Sequence, residues 1–555
     1  MQQGGAARAR SFWGWGREGE GPPAAQVEAM EAGLQHWLGV PTFAAVAPPS
    51  VDEIDLAPPR VEAPADLSHL VSAQKLDRLS HTYGKSYRDI VRALARTFDN
   101  PPDYVAFPRS EADIVRVLEW CDRARLAVIP YGGGSSVCGG VEARLSGAHL
   151  GAVSLDLSGL DQLLELDPVS RAAQLQGGIM GPALEASLRP HGLSLRHYPQ
   201  SFEFSSLGGW IATRAGGHFA TLYTHIDDFV ESLRVITPSG TIESRRLPGS
   251  GAGPSTDRLF IGSEGALGVI TSAWVRLQER PRFRAQATVG FQGSGEATDV
   301  QAFLRGARAL RAIVQAGLFP ANCRLLDPME ALLNQANGAG GGEALLLLGF
   351  ESADHPLHAR MQRAVTIARD HGGRVDDSSI SYSAEDAEQR SRADAQGAWR
   401  SAFLRAPYLR DALIARGVFT ETFETAATWD RFESLHQAVY TAARQAMRDT
   451  GGAGVVSCRI THAYPDGAAP YFTLIAPAAR GAELAQWDTI KAAITDAMLA
   501  HGGSVTHHHA VGRDFMPWYL QQRSPGFGRA LAAVKRELDP QGIMNPGVLI
   551  PVEAP

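Results

Sequence analysis

Long apolar runs are missing from this sequence. The longest, Ala344 to Leu348 with Gly349 and Phe350, falls far short of the roughly 20 residues that cross a bilayer. Cysteine is scarce: Cys121, Cys138, Cys323 and Cys458 are the only four, and no two form a C-x-x-C pair. That disfavours a disulfide framework or a zinc site and favours a reducing compartment. A positive surplus is also lacking. The formal net charge is −7, whereas nucleic-acid binding needs an excess of Lys and Arg on at least one face. Arg8 and Arg10 have no apolar stretch behind them, so no secretory signal is read. The final Val552-Glu553-Ala554-Pro555 is not a peroxisomal address. The expected location is the cytoplasm.

What is there reads as a globular protein of two or three domains, since 555 residues exceed one ordinary core. Residues 1–97 read as an N-terminal arm and helical segment. The arm is rich in Gly, Ala and Pro, contains Trp13-Gly14-Trp15-Gly16, and has one short amphipathic stretch, Val27 to Leu38. Residues 98–280 alternate strands and helices. Tyr104 to Pro108 predicts a strand, Ser110-Glu111-Ala112-Asp113 caps a helix through Arg123, and Leu126 to Pro130 predicts a second strand. Residues 281–555 form another α+β block, with strands expected at 285–291, 322–326, 344–350, 418–423, 455–463 and 471–475. The fold class is α+β: a nucleotide-binding domain, a substrate-binding cap and a helical arm.

Glycine clusters in three places within the middle block. The first is Pro130-Tyr131-Gly132-Gly133-Gly134-Ser135-Ser136, at the end of a predicted strand. Glycines let backbone N–H groups face a pyrophosphate without side-chain clash. The second runs Gln200-Ser201-Phe202-Glu203-Phe204-Ser205-Ser206, with Thr213-Arg214-Ala215-Gly216 behind it. Its hydroxyls and amides suit a flavin edge, ribitol or phosphates. The third is Glu264-Gly265-Ala266-Leu267-Gly268-Val269-Ile270. Each alone reads equally well as a tight turn or packed loop. None is the G-x-G-x-x-G of a Rossmann site. Their order within one domain is more specific.

In that order the segments resemble the FAD-binding domain of the vanillyl-alcohol oxidase / p-cresol methylhydroxylase superfamily. Leu538-Asp539-Pro540, Gly542-Ile543 and Asn545-Pro546-Gly547 resemble its C-terminal signature, with a segment returning to the FAD site. Within the superfamily the chain is similar to the alkyldihydroxyacetonephosphate synthase family. The likeness rests on the Trp-Gly arm, Arg410-Asp411, Glu421 to Thr425, Cys458 to Thr461, Tyr471-Phe472, and His507-His508-His509 after Gly502-Gly503. Thr422 stands where that family commonly has Ser, Gln200 where animal members have Asp, and Ala469 where they have a thiol.

The resemblance implies FAD held without a covalent bond, as cofactor of an exchange reaction. The acyl chain of acyl-dihydroxyacetone phosphate would be replaced by a long-chain fatty alcohol in ether-lipid synthesis. Substrate would be held on flavin N5, with no net redox change. It further implies Tyr471 as proton carrier, Arg410 and Thr422 as substrate contacts, and Arg324 and the three histidines as catalytic groups. A homodimer and a peripheral membrane contact are implied too. Read without the resemblance, these residues stay ambiguous. A strand tyrosine usually packs, though a phenol of lowered pKa can shuttle a proton. An arginine on a helix is usually a surface ion pair, though its fork can bind an oxyanion. His507 to His509 read as a strand with alternating faces. They would form a phosphate site, a solvated face, or a metal site, the last disfavoured because no carboxylate or cysteine lies at useful spacing. The rival function is an FAD-dependent 2-hydroxy-acid dehydrogenase or oxidase of the D-lactate or glycolate type, which would share the glycine-rich loops.

Overall fold

Ser110 caps a helix because its hydroxyl accepts the Asp113 N–H at 3.2 Å. The helix runs Glu111–Ala124 and buries Ile114, Val117, Leu118 and Cys121. It is the crossover between two parallel strands, Tyr104–Ala106 and Leu126–Tyr131, both paired to Gly151–Asp156. In this computed structural model, which describes residues 9–38, 45–145, 147–293, 298–334, 342–384 and 395–552, these strands and Val71–Ser72 make a four-stranded sheet. The glycine turn leaves from its carboxyl edge, the usual place for a ligand in open α/β sheets. A five-stranded antiparallel sheet follows, in the order 163–167, 172–176, 269–276, 230–237, 240–243.

From Phe283 onward the chain builds a third, antiparallel sheet. Its order is Ser381–Ala384, Phe283–Phe291, Ala344–Ser352, Asn322–Leu326, Val455–Ala463, Gly467–Pro477, Val418–Glu424, and the short strand Ala427–Thr428 also joins Gly467–Pro477. Helices Thr298–Gln315, His358–Asp370, Trp429–Gly451 and Glu483–Ala500 bring side chains into one apolar core with Cys323, Leu325, Cys458, Ile460, Phe472, Leu474, Phe419 and Phe423. Because side chains alternate along a strand, the intervening residues face the other way. Those residues include Arg324, Arg459, Thr461, Tyr471, Thr473, Thr420 and Thr422.

The mixed α+β architecture is the one expected, and most strand ends fall within two residues of their predicted places. Two features differ. The stretch 507–509 is not a strand but a bend, for a reason given below. The arm does not stand apart. Its helix Ala24–Leu38 packs Leu34 with Leu413, Val418 and Ile475 of the third sheet and its covering helix. Near the C-terminus the chain returns to the first sheet. Val128 donates to the Ile543 carbonyl at 2.8 Å, and Asn545 donates to that of Val128 at 2.9 Å. No helix among the described residues is long and apolar enough to cross a membrane.

Candidate active site

The inward face of the third sheet and the three glycine-rich segments enclose a cavity of about 790 Å³. Pro130 to Ser136 all line it, as do Gln200, Ser201, Ser205, Ser206, Thr213, Ala215, Gly216, Glu264, Gly265, Gly268 and Ile270. Other residues of these segments do not reach it. Phe202 stacks on Trp210 at 6.2 Å, and Phe204 meets Trp15 edge-on at 5.6 Å. Glu203 faces solvent. Arg214 pairs with Asp227 at 2.7 Å. Leu267 and Val269 belong to buried cores, and Ala266 is buried with its carbonyl bound by Lys535 at 2.7 Å.

The glycine turn is pressed against the second segment. A Cβ on Gly133 would sit 1.9 Å from the Phe204 carbonyl oxygen, and one on Gly132 2.2 Å from Ser206 Oγ. Gly134 has φ +64°, a left-handed conformation that favours glycine. The resulting trough of bare backbone and hydroxyls suits a dinucleotide with a flat ring at one end. These residues fit FAD. Cys138 is buried just past the turn, and its thiol donates to the His509 carbonyl at 3.2 Å. Burial pushes that thiol's pKa up, which makes it a poor nucleophile.

Across the cavity stands the sheet face. Register pairs Arg459 with Tyr471, and Thr422 with Thr473. The Arg459 guanidinium lies 4.0 Å over the Tyr471 ring and is ion-paired to buried Glu330. Burial pushes the Tyr471 phenol up, with Arg459 and the Thr422 hydroxyl opposing more weakly. That shift runs opposite to the lowered pKa that would favour a phenol as proton shuttle. Arg324 Nη1 lies 2.9 Å from His218 Nδ1, and Nη2 donates to the His218 carbonyl at 3.1 Å. Arg410 is on the helix Ala395–Ile414, and its Nε and Nη2 donate to Asp411 Oδ1 at 3.0 and 2.8 Å. All four residues and Thr422 line the cavity.

Glu424 explains the histidine bend. Its buried carboxylate accepts the N–H of His507 at 2.6 Å, of His508 at 3.0 Å, of His509 at 2.9 Å, and the Thr506 hydroxyl at 2.5 Å. Three consecutive N–H groups cannot converge on one carboxylate from an extended strand, where they alternate sides. Burial opposes the Glu424 charge, but the three histidines hold its pKa well below the usual carboxylate range. Glu424 is also the carboxylate partner that spacing along the sequence failed to reveal. It lies 3.9, 3.4 and 3.7 Å from the Nδ1 atoms of His507, His508 and His509. His508 and His509 line the cavity; His507 sits behind them. Nitrogens of His462, His507 and His508 come within 4.8 Å of one another. They are engaged, however: His462 with Thr461 and Gly217, and His507 with Tyr464 and His508. Burial lowers the pKa of His507, and lowers that of His509 to about 4.

Several lining residues escaped the sequence reading. Trp15, Gln26 and Met30 come from the arm, and His462, Glu330, Leu333 and Arg459 from the cap. Arg459 and Trp15 carry a signal, through Cys458 to Thr461 and Trp13-Gly14-Trp15-Gly16.

Comparison with known proteins agrees with this geometry. Residues 102–245 match a family model described as FAD binding domain, and residues 296–549 match FAD linked oxidases, C-terminal domain. The chain is 31% identical to the alkyldihydroxyacetonephosphate synthase of Dictyostelium discoideum, over 86% of this chain and 78% of that one. It is 28% identical to the enzyme of the same name from Trypanosoma brucei brucei, over 89% and 82%. A solved alkyldihydroxyacetonephosphate synthase superposes with a TM-score of 0.78 at 24% identity, over 97% of this chain and 98% of that one. The chain belongs to the alkyldihydroxyacetonephosphate synthase family, whose members are FAD-dependent enzymes.

Proposed function

We propose that this enzyme replaces the acyl chain of acyl-dihydroxyacetone phosphate with a long-chain alcohol, releasing a fatty acid without net oxidation. The observation that carries the reading is one cavity lined by two unlike groups of side chains. Arg324, Arg459, Arg410, His508 and His509 offer cations and donors for phosphate and carboxylate oxygens. Met30, Leu333, Leu409, Leu413 and Ile475 pack together as an apolar group that suits an alkyl chain. A 2-hydroxy acid such as D-lactate has no use for that apolar group.

Bound without a covalent link to the protein, the oxidised flavin supplies an electrophilic site that keeps the substrate carbon in place during the exchange. The chain's own residues do the rest. Arg410, fixed by Asp411, holds the departing carboxylate. Arg324 and the histidine bend hold the phosphate. Tyr471, beside Thr422, moves the proton at C1. Incubation with acyl-dihydroxyacetone phosphate and labelled hexadecanol tests the reading. Label in an ether product supports it. No ether, together with flavin bleaching by D-lactate or glycolate, would favour the oxidative alternative.

A further inference from the structure

The exchange releases a proton. The bond from C1 to the acyl oxygen breaks and the carboxylate leaves with the electron pair. The alcohol oxygen bonds to C1, and the alcohol's hydrogen departs as a proton. At neutral pH the fatty acid stays ionised, so each turnover must deliver one proton from a buried cavity to water.

A chain of hydrogen bonds leads from the cavity outward. His508 lines the cavity. Its Nδ1 is 3.0 Å from Nδ1 of His507. His507 Nε2 is 2.9 Å from the Tyr464 hydroxyl. That hydroxyl is 2.5 Å from His225 Nε2. The last nitrogen, His225 Nδ1, lies 3.4 Å from the carbonyl of exposed Arg214, and His225 itself is half-buried, at the outer end of the chain. Each ring in this chain is entered at one nitrogen and left at the other, and the phenol joins two rings through one oxygen. Such an arrangement passes a proton by successive transfers, and each ring resets its tautomer by turning before the next turnover. Glu424, within 4 Å of Nδ1 on both His507 and His508, stabilises either imidazolium as it forms. His462 stands beside the chain, but its nitrogens serve Thr461 and Gly217.

We propose that His508, His507, Tyr464 and His225 form a proton relay from the cavity to solvent, with Tyr464 and His225 as its outer, unassigned members. This rests on the exchange reading above. The relay predicts that His225→Ala lowers kcat at least about tenfold with KM for the acyl substrate unchanged, and that added imidazole restores turnover. Tyr464→Phe lowers kcat with the same unchanged KM. His225→Gln, which keeps a hydrogen bond to Tyr464 but cannot pass a proton, shows the same loss and guards against a folding defect in the alanine variant. FAD content is measured for all three. Wild-type turnover in His225→Gln or Tyr464→Phe overturns the relay, as does a loss that imidazole leaves unchanged in His225→Ala. A wild-type enzyme that forms no ether overturns the exchange reading itself, a different outcome.

Discussion

Glu424 shows how much one side chain can impose. It gathers three consecutive backbone N–H groups and a hydroxyl, and so turns residues 506–509 into a bend that presents His508 and His509 to the cavity. Its folded-state pKa is depressed relative to the unfolded value of about 4.3. A depressed carboxylate contributes stability above the unfolded pKa and loses it as pH falls through the folded one. Glu424→Gln should therefore cost about 2–4 kcal/mol near neutral pH, because an amide offers one acceptor where the carboxylate has two. Urea unfolding at neutral pH and at about pH 3, below the unfolded pKa, checks this: the gap between wild type and variant should narrow in acid. At Tyr471 the expectation concerns activity. Its phenol stays protonated through neutral pH, so Tyr471→Phe should keep bound FAD and lose turnover by about a hundredfold or more. Full activity would remove Tyr471 from the chemistry.

At the level of elements, local pattern was a good guide and long-range partnership was not. Strands such as 322–326 and 455–463 were legible because apolar residues alternate along them, and Ser110 announced its helix. The glycine turn was legible as a site, but its glycines have a further reason: Gly132 and Gly133 abut Ser206 and the Phe204 backbone, some 70 residues on. Gly133→Ala should therefore separate two walls of the cofactor trough and weaken FAD binding at least about tenfold, measured by flavin fluorescence on titration. The pattern around His507 to His509 reads as a strand because Glu424, 83 residues earlier than His507, is invisible to any local pattern. Arg459 reaches the site through its register opposite Tyr471, and register is set by tertiary pairing.

Across the whole molecule the arm ties the other parts together. Arg10 donates to the Gly133 carbonyl at 2.7 Å, in the glycine turn itself. The Trp15 N–H donates to Asp411 Oδ2 at 2.7 Å, and Asp411 holds Arg410 through its other oxygen. Rich in Gly, Ala and Pro, the arm has little core of its own. It gains its order from the surfaces it covers. Deleting residues 1–19 should weaken FAD binding and raise KM for the acyl substrate, each at least about tenfold, while the helix Ala24–Leu38 keeps the cap folded. Binding titration and initial rates would show this. Unchanged values would reduce the arm to a passive cover. Hexadecanol carrying heavy oxygen reports whether the cavity exchanges one C1–O bond for another without oxidation. Exchange gives an ether that keeps the heavy oxygen and a released fatty acid without it. An unlabelled ether oxygen, or label in the fatty acid, rules that exchange out.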